Sequence, residues 1–419
     1  MVCSVVIDRE AKPKMEAMTG LEAMVQGKLL SPFTRLRRLL DTVAPGHERP
    51  IEMTVGDPKE VMPGFVVDRI AEARHLLGSY PAIRGSEDLR RTIATWIQRR
   101  YNLAIEIDPL REVHPLNGSR EGLFYAIFPA TGRKRVAGTP AVLLPNPYYH
   151  TYLGSVSAVN AEPVFLDATD ATGHLPDLDA LARDTATLER TIAFYLCSPA
   201  NPQGAVASAA YVRKALALAR QYDFMLFFDE CYSEIYTADA PTGGLQIAAA
   251  TPERFKNLVV FNSLSKRSNL PGLRSGFVAG DGDFIETLAE VRNIVGPQMP
   301  GVVQHASIGV WSEEQHVSAI RRAYRAKFDI CDEILGDRFG YRRPAGGFFL
   351  WLDMSHLGGG VDATVTLWKR VGVRVVPGAY LAQTNREGIN PGEKYVRVAL
   401  VHPAAVIREA LERVVSVRA

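Results

Sequence analysis

The chain has few of the residues that build metal or disulfide sites. It contains four cysteines in 419 residues, and none of them belongs to a Cys-x-x-Cys pair. Its nine histidines show no His-Glu-x-x-His or comparable spacing. Few and scattered cysteines argue against a disulfide framework, and the missing ligand spacings argue against a zinc site, so we expect no metal. Cys231 follows an acidic pair, but the favoured interpretation is a small buried hydrophobe.

The chain also lacks long apolar runs and a strong net charge. Its apolar runs are much shorter than a bilayer span, and residues 1–14 show no secretory cleavage pattern, so we expect a cytoplasmic protein without a membrane partner. A formal net charge of +2 provides no basic footprint for nucleic acid. No helix-turn-helix pattern precedes residue 50, which argues against a DNA-binding regulator. No Gly-x-Gly-x-x-Gly follows a strand, which argues against a nicotinamide dehydrogenase.

Short apolar segments alternate with helical patterns along most of the chain. The predicted strands of the first part are 51–55, 142–144, 192–196, 224–228, 258–261 and 277–279. Helical spacing between them, as over 211–222, indicates an α/β domain with a largely parallel sheet. The last part predicts a long helix over 311–335, strands at 348–352, 373–376 and 395–400, and helices at 362–371 and 403–417. This mixed order predicts a smaller α+β domain.

Polar clusters directly follow four of the predicted strands. They are 146–149, 198–204, 229–232 and 263–266. Because ligands bind beyond the carboxyl ends of parallel strands, we expect these clusters to form one site.

The cluster at 263–266 contains the residue with the clearest chemical potential. Ser263 and Ser265 bracket Lys266, and Arg274 follows eight residues later. A lysine among hydroxyls near an arginine suits an amine that forms a Schiff base beside a bound phosphate. Alone, such a lysine is more often a solvated loop residue. The segment 117–120 at the start of a predicted helix offers backbone N–H groups to an anion, although by itself an ordinary helix cap is favoured.

Taken together, these segments resemble the class I/II aminotransferases, the fold-type I family of pyridoxal-phosphate enzymes. The motifs Asn-Pro-x-Gly, Asp-Glu-x-Tyr and Ser-Leu-Ser-Lys-x7-Arg are weak singly, but they occur together here in one order. The resemblance spans residues 56 to 397. It implies a mostly parallel seven-stranded central sheet beside a smaller α+β domain, and a homodimer. The implied segments are an N-terminal arm with part of the small domain (1–59), a large cofactor-binding domain (60–305) and a small C-terminal domain (306–419).

The resemblance implies catalytic roles for three residues. Lys266 is similar to the lysine that binds pyridoxal 5'-phosphate covalently and then moves a proton at the substrate Cα. We expect partial burial and the neighbouring Arg274 to lower its pKa. Asp229 is similar to the carboxylate that keeps the pyridine nitrogen protonated, and Tyr232 to the tyrosine that hydrogen-bonds the phenolic oxygen. Without the motifs, Asp229 would be interpreted as a strand-end acid in a salt bridge.

The resemblance also implies two sets of binding residues. Those for the cofactor, besides the three catalytic residues, are Gly118, Ser119, Arg120, Ser263, Ser265 and Arg274 around the phosphate, Tyr149 on the ring, Asn201 at the phenolic oxygen, and Tyr80 reaching the phosphate of the other subunit. Those for the substrate are Gly56, Arg84, Asn201 and Arg397, of which Arg397 would bind the α-carboxylate bidentately.

Several of these assignments have an open alternative. Tyr148 is as suitably placed as Tyr149 to stack on the ring. Arg120 suits either the phosphate or the substrate, and Arg84 either the substrate or acids of the next helix. Arg397 has the alternative of an ordinary surface-exposed strand arginine.

The fold alone does not define the reaction, because fold-type I also contains lyases, decarboxylases and acyltransferases. The carboxylate-binding Arg397 favours transamination, with ping-pong transfer between L-glutamate or 2-oxoglutarate and an oxo acid. Segments 55–63, 79–90, 116–124, 145–152 and 263–277 are similar to bacterial N-succinyldiaminopimelate aminotransferases. This implies N-succinyl-2-amino-6-oxopimelate, in lysine and diaminopimelate biosynthesis, as a substrate. The alternatives are an aspartate or aromatic amino acid aminotransferase and, less favoured, a pyridoxal-phosphate-dependent lyase.

Overall fold

The computed structural model describes residues 20–26, 29–296 and 298–418. Most of the arm predicted over residues 1–30 lies outside these residues. The strands are β1 (Ile51–Glu52), β2 (Val113–Leu116), β3 (Ala141–Asn146), β4 (Glu162–Asp167), β5 (Thr191–Cys197), β6 (Met225–Asp229), β7 (Leu258–Ser263), β8 (Gly276–Gly280), β9 (Phe349–Asp353), β10 (Val373–Arg374), β11 (Val376–Pro377) and β12 (Tyr395–Ala399).

Helices precede, separate and follow these strands along the chain. They are α1 (Gly20–Val25), α2 (Pro32–Leu40), α3 (Phe65–Glu72), α4 (Glu87–Tyr101), α5 (Ser119–Tyr125), α6 (Ile127–Arg133), α7 (His150–Ala158), α8 (Leu178–Arg183), α9 (Thr185–Arg190), α10 (Ala209–Gln221), α11 (Gly244–Ala249), α12 (Leu264–Arg267), α13 (Gly282–Val295), α14 (Gly301–Ser312), α15 (Gln315–Leu335), α16 (Gly360–Val371) and α17 (Ala404–Ser416). Among the described residues, none of these helices is both long enough and apolar enough to cross a membrane.

Seven strands form the central sheet, in the order β2-β8-β7-β6-β5-β3-β4. Strand β8 runs antiparallel to both of its neighbours, and the other pairs are parallel. Residues of β6 alternate between two hydrophobic clusters, with Leu226 and Phe228 in one and Met225 and Phe227 in the other. A strand that is apolar on both faces must be covered on both faces, which explains its continuous apolar run. The predicted α/β fold with a mostly parallel seven-stranded sheet is confirmed.

Two strands of the central sheet were absent from the sequence prediction, and they lie at its two edges. Strand β2 contains His114 and Pro115, and β4 begins with Glu162 and Pro163. Proline cannot donate to a ladder and is confined to edge positions, where one side needs no partner. These edge strands therefore lack the apolar, β-branched pattern by which the inner strands were predicted.

The predicted long helix over 311–335 is wrong at its start. One helix ends at Ser312, Glu313 is extended with φ −106° and ψ 135°, and a second helix begins at Gln315. The Glu313 carboxylate accepts hydrogen bonds from the backbone N–H groups of Gln315 and His316. This local capping competes with helix continuation, which apolar spacing alone does not reveal.

A second, smaller sheet carries the C-terminal strands. Strand β12 lies between β11 and β9 and is antiparallel to both, while β10 pairs with β1 in a separate parallel ladder. The predicted strand 373–376 is thus divided between two sheets, and only Ile51–Glu52 of the predicted strand 51–55 is paired. Side chains of α15 and α17 join these strands in one hydrophobic cluster. The exact domain boundaries stay a prediction.

Phe227 offers a test of how far the buried sheet supports the fold. Its ring is fully buried in β6, with ring centroids of Tyr195, Phe284 and Phe261 at 5.0, 5.5 and 6.0 Å. Phe227→Ala should lower the free energy of unfolding by about 3–5 kcal/mol, because it removes apolar contacts and leaves a cavity. Urea unfolding followed by fluorescence measures the change.

The matched control is Leu110→Ala, since Leu110 is 43% exposed. Its effect should stay within about 0.5 kcal/mol, as is usual for surface positions. Equal effects of the two substitutions would contradict the assignment of Phe227 to a close-packed core.

Candidate active site

Lys266 lies immediately after the carboxyl end of β7, in the short helix α12. The Ser263 side chain caps this helix by accepting from the backbone N–H of Ser265 at 3.1 Å. Lys266 Nζ donates to the carbonyl oxygen of Gly56 and lies 5.3 Å from the ring centroid of Phe348. The side chain therefore points from the central sheet toward the loop after β1.

Burial is the main cause that lowers the pKa of Lys266 to about 8; the cations Arg397 and Arg120 act in the same direction, and Cys231 and Asp57 oppose them. Arg274, which we expected to contribute, is not among the main causes of this shift. The Arg274 guanidinium instead donates to the carbonyl oxygens of Pro271 and Asn117, at 2.9 and 3.1 Å.

Asp229 is the last residue of β6 and is only 5% exposed. Its carboxylate accepts from the Tyr152 hydroxyl at 2.7 Å and from the Cys231 backbone N–H at 3.1 Å. Burial raises the pKa of Asp229, and these hydrogen bonds oppose the rise. In the part of the chain that the structure describes, no basic side chain lies within ion-pair distance of this carboxylate. The salt-bridge interpretation therefore fails, and the carboxylate can receive a cationic group from a ligand.

Gly118 and Arg274 form one wall of the candidate phosphate site. Gly118 has φ +78°, and a Cβ atom at this position would collide with the Arg274 guanidinium. Only glycine allows this close approach. Ser119 follows at the start of α5, and the Ser263 hydroxyl lies 2.8 Å from Ser265 Oγ. Hydroxyls and a fixed guanidinium are suitable donors for a phosphate.

Tyr149 and Arg120 contact each other close to the candidate phosphate site. Arg120 Nε donates to the Tyr149 hydroxyl at 2.5 Å, and its guanidinium carbon is 5.7 Å from the ring centroid. The Tyr148 ring is directed to Phe165, with centroids 5.4 Å apart, and its hydroxyl accepts from Gln383 at 2.8 Å. The engaged ring of Tyr148 favours Tyr149 as the stacking residue.

Arg397 lies in the middle of β12 and is 4% exposed, so it is not the surface arginine of the alternative interpretation. Its Nη1 donates to Asn201 Oδ1 at 3.0 Å and its Nη2 to the carbonyl oxygen of Thr54 at 2.8 Å, while the buried Nε has no partner. The guanidinium stacks on Phe349, 4.3 Å from the ring centroid.

Burial lowers the pKa of Arg397 to about 10, so it remains charged at neutral pH. Across the described ranges, no carboxylate lies within ion-pair distance of it. A buried cation without a counter-charge favours an anionic ligand.

These residues share one cavity of about 360 Å³. The predicted site residues in its lining are Gly56, Ser119, Arg120, Tyr149, Asn201, Asp229, Tyr232, Ser263, Ser265, Lys266, Arg274 and Arg397. The central sheet provides the carboxylate and the lysine, and the small sheet provides the arginine. Burial raises the pKa of Tyr232, which keeps its phenol protonated.

Three predicted site residues do not line this cavity. Gly118 lies directly behind the lining residue Arg274, against its guanidinium. Tyr80 is 99% exposed. Arg84 forms ion pairs with Glu286 and Glu290 of α13. Arg84 therefore pairs with acidic residues, as the alternative interpretation expected. These acids belong to α13, however, and not to the helix that follows Arg84. Its pairing leaves less of the guanidinium available to a substrate.

The structure adds residues that sequence reasoning did not assign to the site. Tyr152, Cys197, His150 and Phe349 line the cavity. Tyr152 lies one helical turn after Tyr149, and that spacing was a usable signal. Cys231 also lines the cavity, and its thiol lies 2.9 Å from Ser119 Oγ. Burial raises the pKa of this thiol, in keeping with its interpretation as a small buried residue.

A lysine with a lowered pKa, a buried unpaired carboxylate and a buried unpaired arginine in one cavity are typical of enzymes that activate amino acids through an aldehyde cofactor. The sequence model of the family "Aminotransferase class I and II" matches residues 49–414. The chain belongs to this family, and it is a pyridoxal-phosphate-dependent aminotransferase that acts on amino acids and oxo acids.

Known proteins that match nearly the full length of the chain support this assignment. An LL-diaminopimelate aminotransferase of Syntrophobacter fumaroxidans is 31% identical over 394 residues, which cover 92% of this chain and 96% of the relative. An aminotransferase structure from Neisseria meningitidis has a TM-score of 0.87 and 36% identity, covering 94% of this chain and 99% of that one. The aminotransferase AspB from Helicobacter pylori has a TM-score of 0.83 and 31% identity, with 93% and 98% covered.

The residues present fit pyridoxal 5'-phosphate. Within the described ranges, the Asp229 carboxylate has no cationic partner, the glycine at position 118 leaves room for the Arg274 guanidinium, and the lowered pKa of Lys266 favours loss of its proton. Each feature meets one need of the cofactor, respectively its ring nitrogen, its phosphate and its aldehyde.

The lowered pKa of Lys266 is testable in the cofactor-free enzyme. With a pKa of about 8, roughly a tenth of the side chain is neutral at pH 7, far more than for an ordinary lysine. When pyridoxal 5'-phosphate is added to the cofactor-free enzyme, the rate at which Lys266 binds it covalently should rise with pH and level off above about pH 8. Borohydride reduction followed by peptide mass spectrometry measures this rate at Lys266 itself. N-acetyl-lysine amide is the control, and a Lys266 profile that rises up to pH 10 like the control would contradict the shift.

Proposed function

We propose that this enzyme transfers amino groups between L-glutamate or 2-oxoglutarate and an oxo acid of the diaminopimelate series. The single observation that carries the reaction is the buried, uncompensated Arg397 in the same cavity as Lys266 and Asp229. A carboxylate bound there stays attached to the substrate, which favours transamination over decarboxylation. The relatives named LL-diaminopimelate aminotransferases support the substrate series. N-succinyl-2-amino-6-oxopimelate, which the sequence implied, belongs to the same series.

The chain's own residues then have separate tasks. Pyridoxal phosphate, when bound, supplies an electron sink that stabilises negative charge at the substrate Cα. Lys266 would hold it covalently until the substrate amine displaces the lysine, and the released, neutral Nζ would then take the proton from Cα. Asp229 would pair with the protonated ring nitrogen and keep the proton there.

The remaining residues bind and orient. Ser119, Ser263, Ser265 and Arg274 would donate to the phosphate, and Tyr149 would stack on the ring. Asn201 and Tyr232 would donate to the phenolic oxygen. Arg397 binds the α-carboxylate through its fork of N–H groups and holds Cα within reach of Lys266.

We also propose a homodimer. Tyr80 and Leu77 are 99% and 72% exposed, and Val61 is 88% exposed. Leu77 and Tyr80 are close in sequence, and grouped exposed apolar side chains of this size are typical of interaction surfaces. In a dimer, Tyr80 would reach the phosphate site of a second copy. A cytoplasmic location stays a prediction from the sequence.

Donor specificity tests the proposed substrate. The purified enzyme is supplied with 2-oxoglutarate and, in turn, LL-diaminopimelate, N-succinyl-LL-diaminopimelate, L-aspartate and L-phenylalanine, and glutamate formation is measured. One of the two diaminopimelate donors should exceed aspartate and phenylalanine by about tenfold or more in kcat/KM, since pocket contacts discriminate substrates at that scale. A preference for aspartate or phenylalanine would replace the proposal with the corresponding aminotransferase.

The carboxylate of Asp229 and its hydrogen bond from Tyr152 test the mechanism. Asp229→Asn should lower kcat by about 100-fold or more while cofactor absorbance is retained, because the ring nitrogen loses its charged partner. Tyr152→Phe removes one hydrogen bond to the charged Asp229 carboxylate and should lower kcat about tenfold. A near-normal kcat in Asp229→Asn would show that the ring nitrogen has a different partner.

A further inference from the structure

A second cavity, of about 680 Å³, adjoins the catalytic one. The two share the lining residues Arg120, Tyr148, His150, Arg274 and Leu381. The larger cavity extends from these residues toward helix α2, where Ser31, Pro32 and Arg35 line it. The larger cavity therefore adjoins the catalytic one, on the side where a ligand longer than the catalytic cavity would extend.

Arg35 is the basic residue that belongs to the larger cavity alone. It lies on α2, which packs Leu36 and Leu40 against Val376 and Leu381 in one hydrophobic cluster. Its guanidinium carbon lies 3.9 Å from the ring centroid of Tyr380. Stacking on a ring fixes the plane of a guanidinium and leaves its N–H edge free for an acceptor.

Among the described residues, the Arg35 guanidinium has no anionic partner. Over residues 20–26, 29–296 and 298–418, it forms no ion pair and its side chain makes no hydrogen bond. It is half-buried, so solvation by bulk water is incomplete. An arginine placed in this way is prepared to bind a carboxylate, and its geometry allows a bidentate pair.

The charge of the larger cavity favours the same kind of ligand. Arg120 is exposed in both cavities and has no carboxylate within ion-pair distance among the described residues. Among the described lining residues, Glu121 is the one carboxylate, and it is bound by Arg292. Burial, Arg120 and Arg397 lower the pKa of His150 to about 4, so that this ring adds no charge at neutral pH. The net charge of the described lining residues is positive.

We propose that Arg35 is a specificity-determining residue that binds a carboxylate at the far end of the substrate side chain. Arg397 binds the α-carboxylate in the catalytic cavity, and the substrate extends past Arg120 and His150 to Arg35. Because Arg35 does not line the catalytic cavity, its role is separate from that of Arg274 at the phosphate. This inference rests on the proposed transamination, and it selects long dicarboxylic amino acids and oxo acids as the substrate class.

Pairs of substrates that differ only in the distal carboxylate provide the test. L-2-aminoadipate is compared with L-norleucine, and L-2-aminopimelate with L-2-aminoheptanoate, each with 2-oxoglutarate as acceptor. The wild-type enzyme should prefer the dicarboxylic member of each pair in kcat/KM. In Arg35→Gln this preference should fall about 10- to 100-fold, the range for a hydrogen-bonded charged pair, while kcat/KM for norleucine stays unchanged.

Two further variants separate charge from structure. Arg37→Gln removes the same charge from the exposed side of α2 and should leave the preference intact. Arg35→Lys keeps the charge and should restore part of the preference, although it loses the planar fork. The melting temperature and cofactor absorbance of each variant show that α2 and the site remain formed.

The outcomes distinguish this inference from the proposed function. An unchanged dicarboxylate preference in a folded Arg35→Gln enzyme would overturn the role of Arg35. No preference in the wild type would overturn it as well. If Arg35→Gln lowers the preference but neither diaminopimelate donor reacts, the distal site stands and the proposed substrate series fails.

Discussion

The structure depends on keeping three ionisable groups, Asp229, Lys266 and Arg397, in one cavity without letting them neutralise one another. Asp229 and Arg397 are 5% and 4% exposed, and within the described residues neither has a partner of opposite charge. Burying charge in this way is unfavourable unless a ligand supplies the partner. The free-energy cost of burying these charges is therefore lowest when the cavity holds a ligand that is cationic at one point and anionic at another. The cofactor and an amino acid substrate both have such charges.

The fold separates Arg397 from the other two groups by attaching it to a different sheet. Asp229 ends β6 and Lys266 follows β7, two neighbouring parallel strands of the central sheet, whereas Arg397 lies within the small antiparallel sheet. Across the cavity, Arg397 donates to Asn201, and Lys266 donates to the Gly56 carbonyl in the loop after β1. A bound cofactor or substrate would compete with Gly56 for the Lys266 nitrogen. Ligand binding would therefore replace the contact between Lys266 and this loop.

The sequence predicts those site residues that lie at the ends of apolar strands. Asp229 and Lys266 follow continuous apolar runs, and the rule that parallel strands end at one edge brings them together. The family resemblance, not periodicity, pointed to Arg397, because an arginine in a strand is most often exposed. The neighbours that determine the pKa of Lys266 could not be read from sequence. Arg274 is eight residues away in the chain but turns to backbone carbonyls, while Arg397 is distant in the chain and contributes.

The residue that binds the α-carboxylate and the residue proposed to select the substrate lie in parts of the fold with different structural constraints. Arg397 is held between two strands and stacked on Phe349, so that changing its position would disturb the small sheet. Arg35 lies on a single nine-residue helix, and its stacking partner Tyr380 lies far along the chain, in the 3₁₀ turn Gly378–Tyr380. A substitution on such a helix can alter the distal end of the site while the sheets stay unchanged. Relatives that are about a third identical can therefore keep the amino-transfer site and still differ in substrate, since the two functions rest on parts of the fold with different structural constraints.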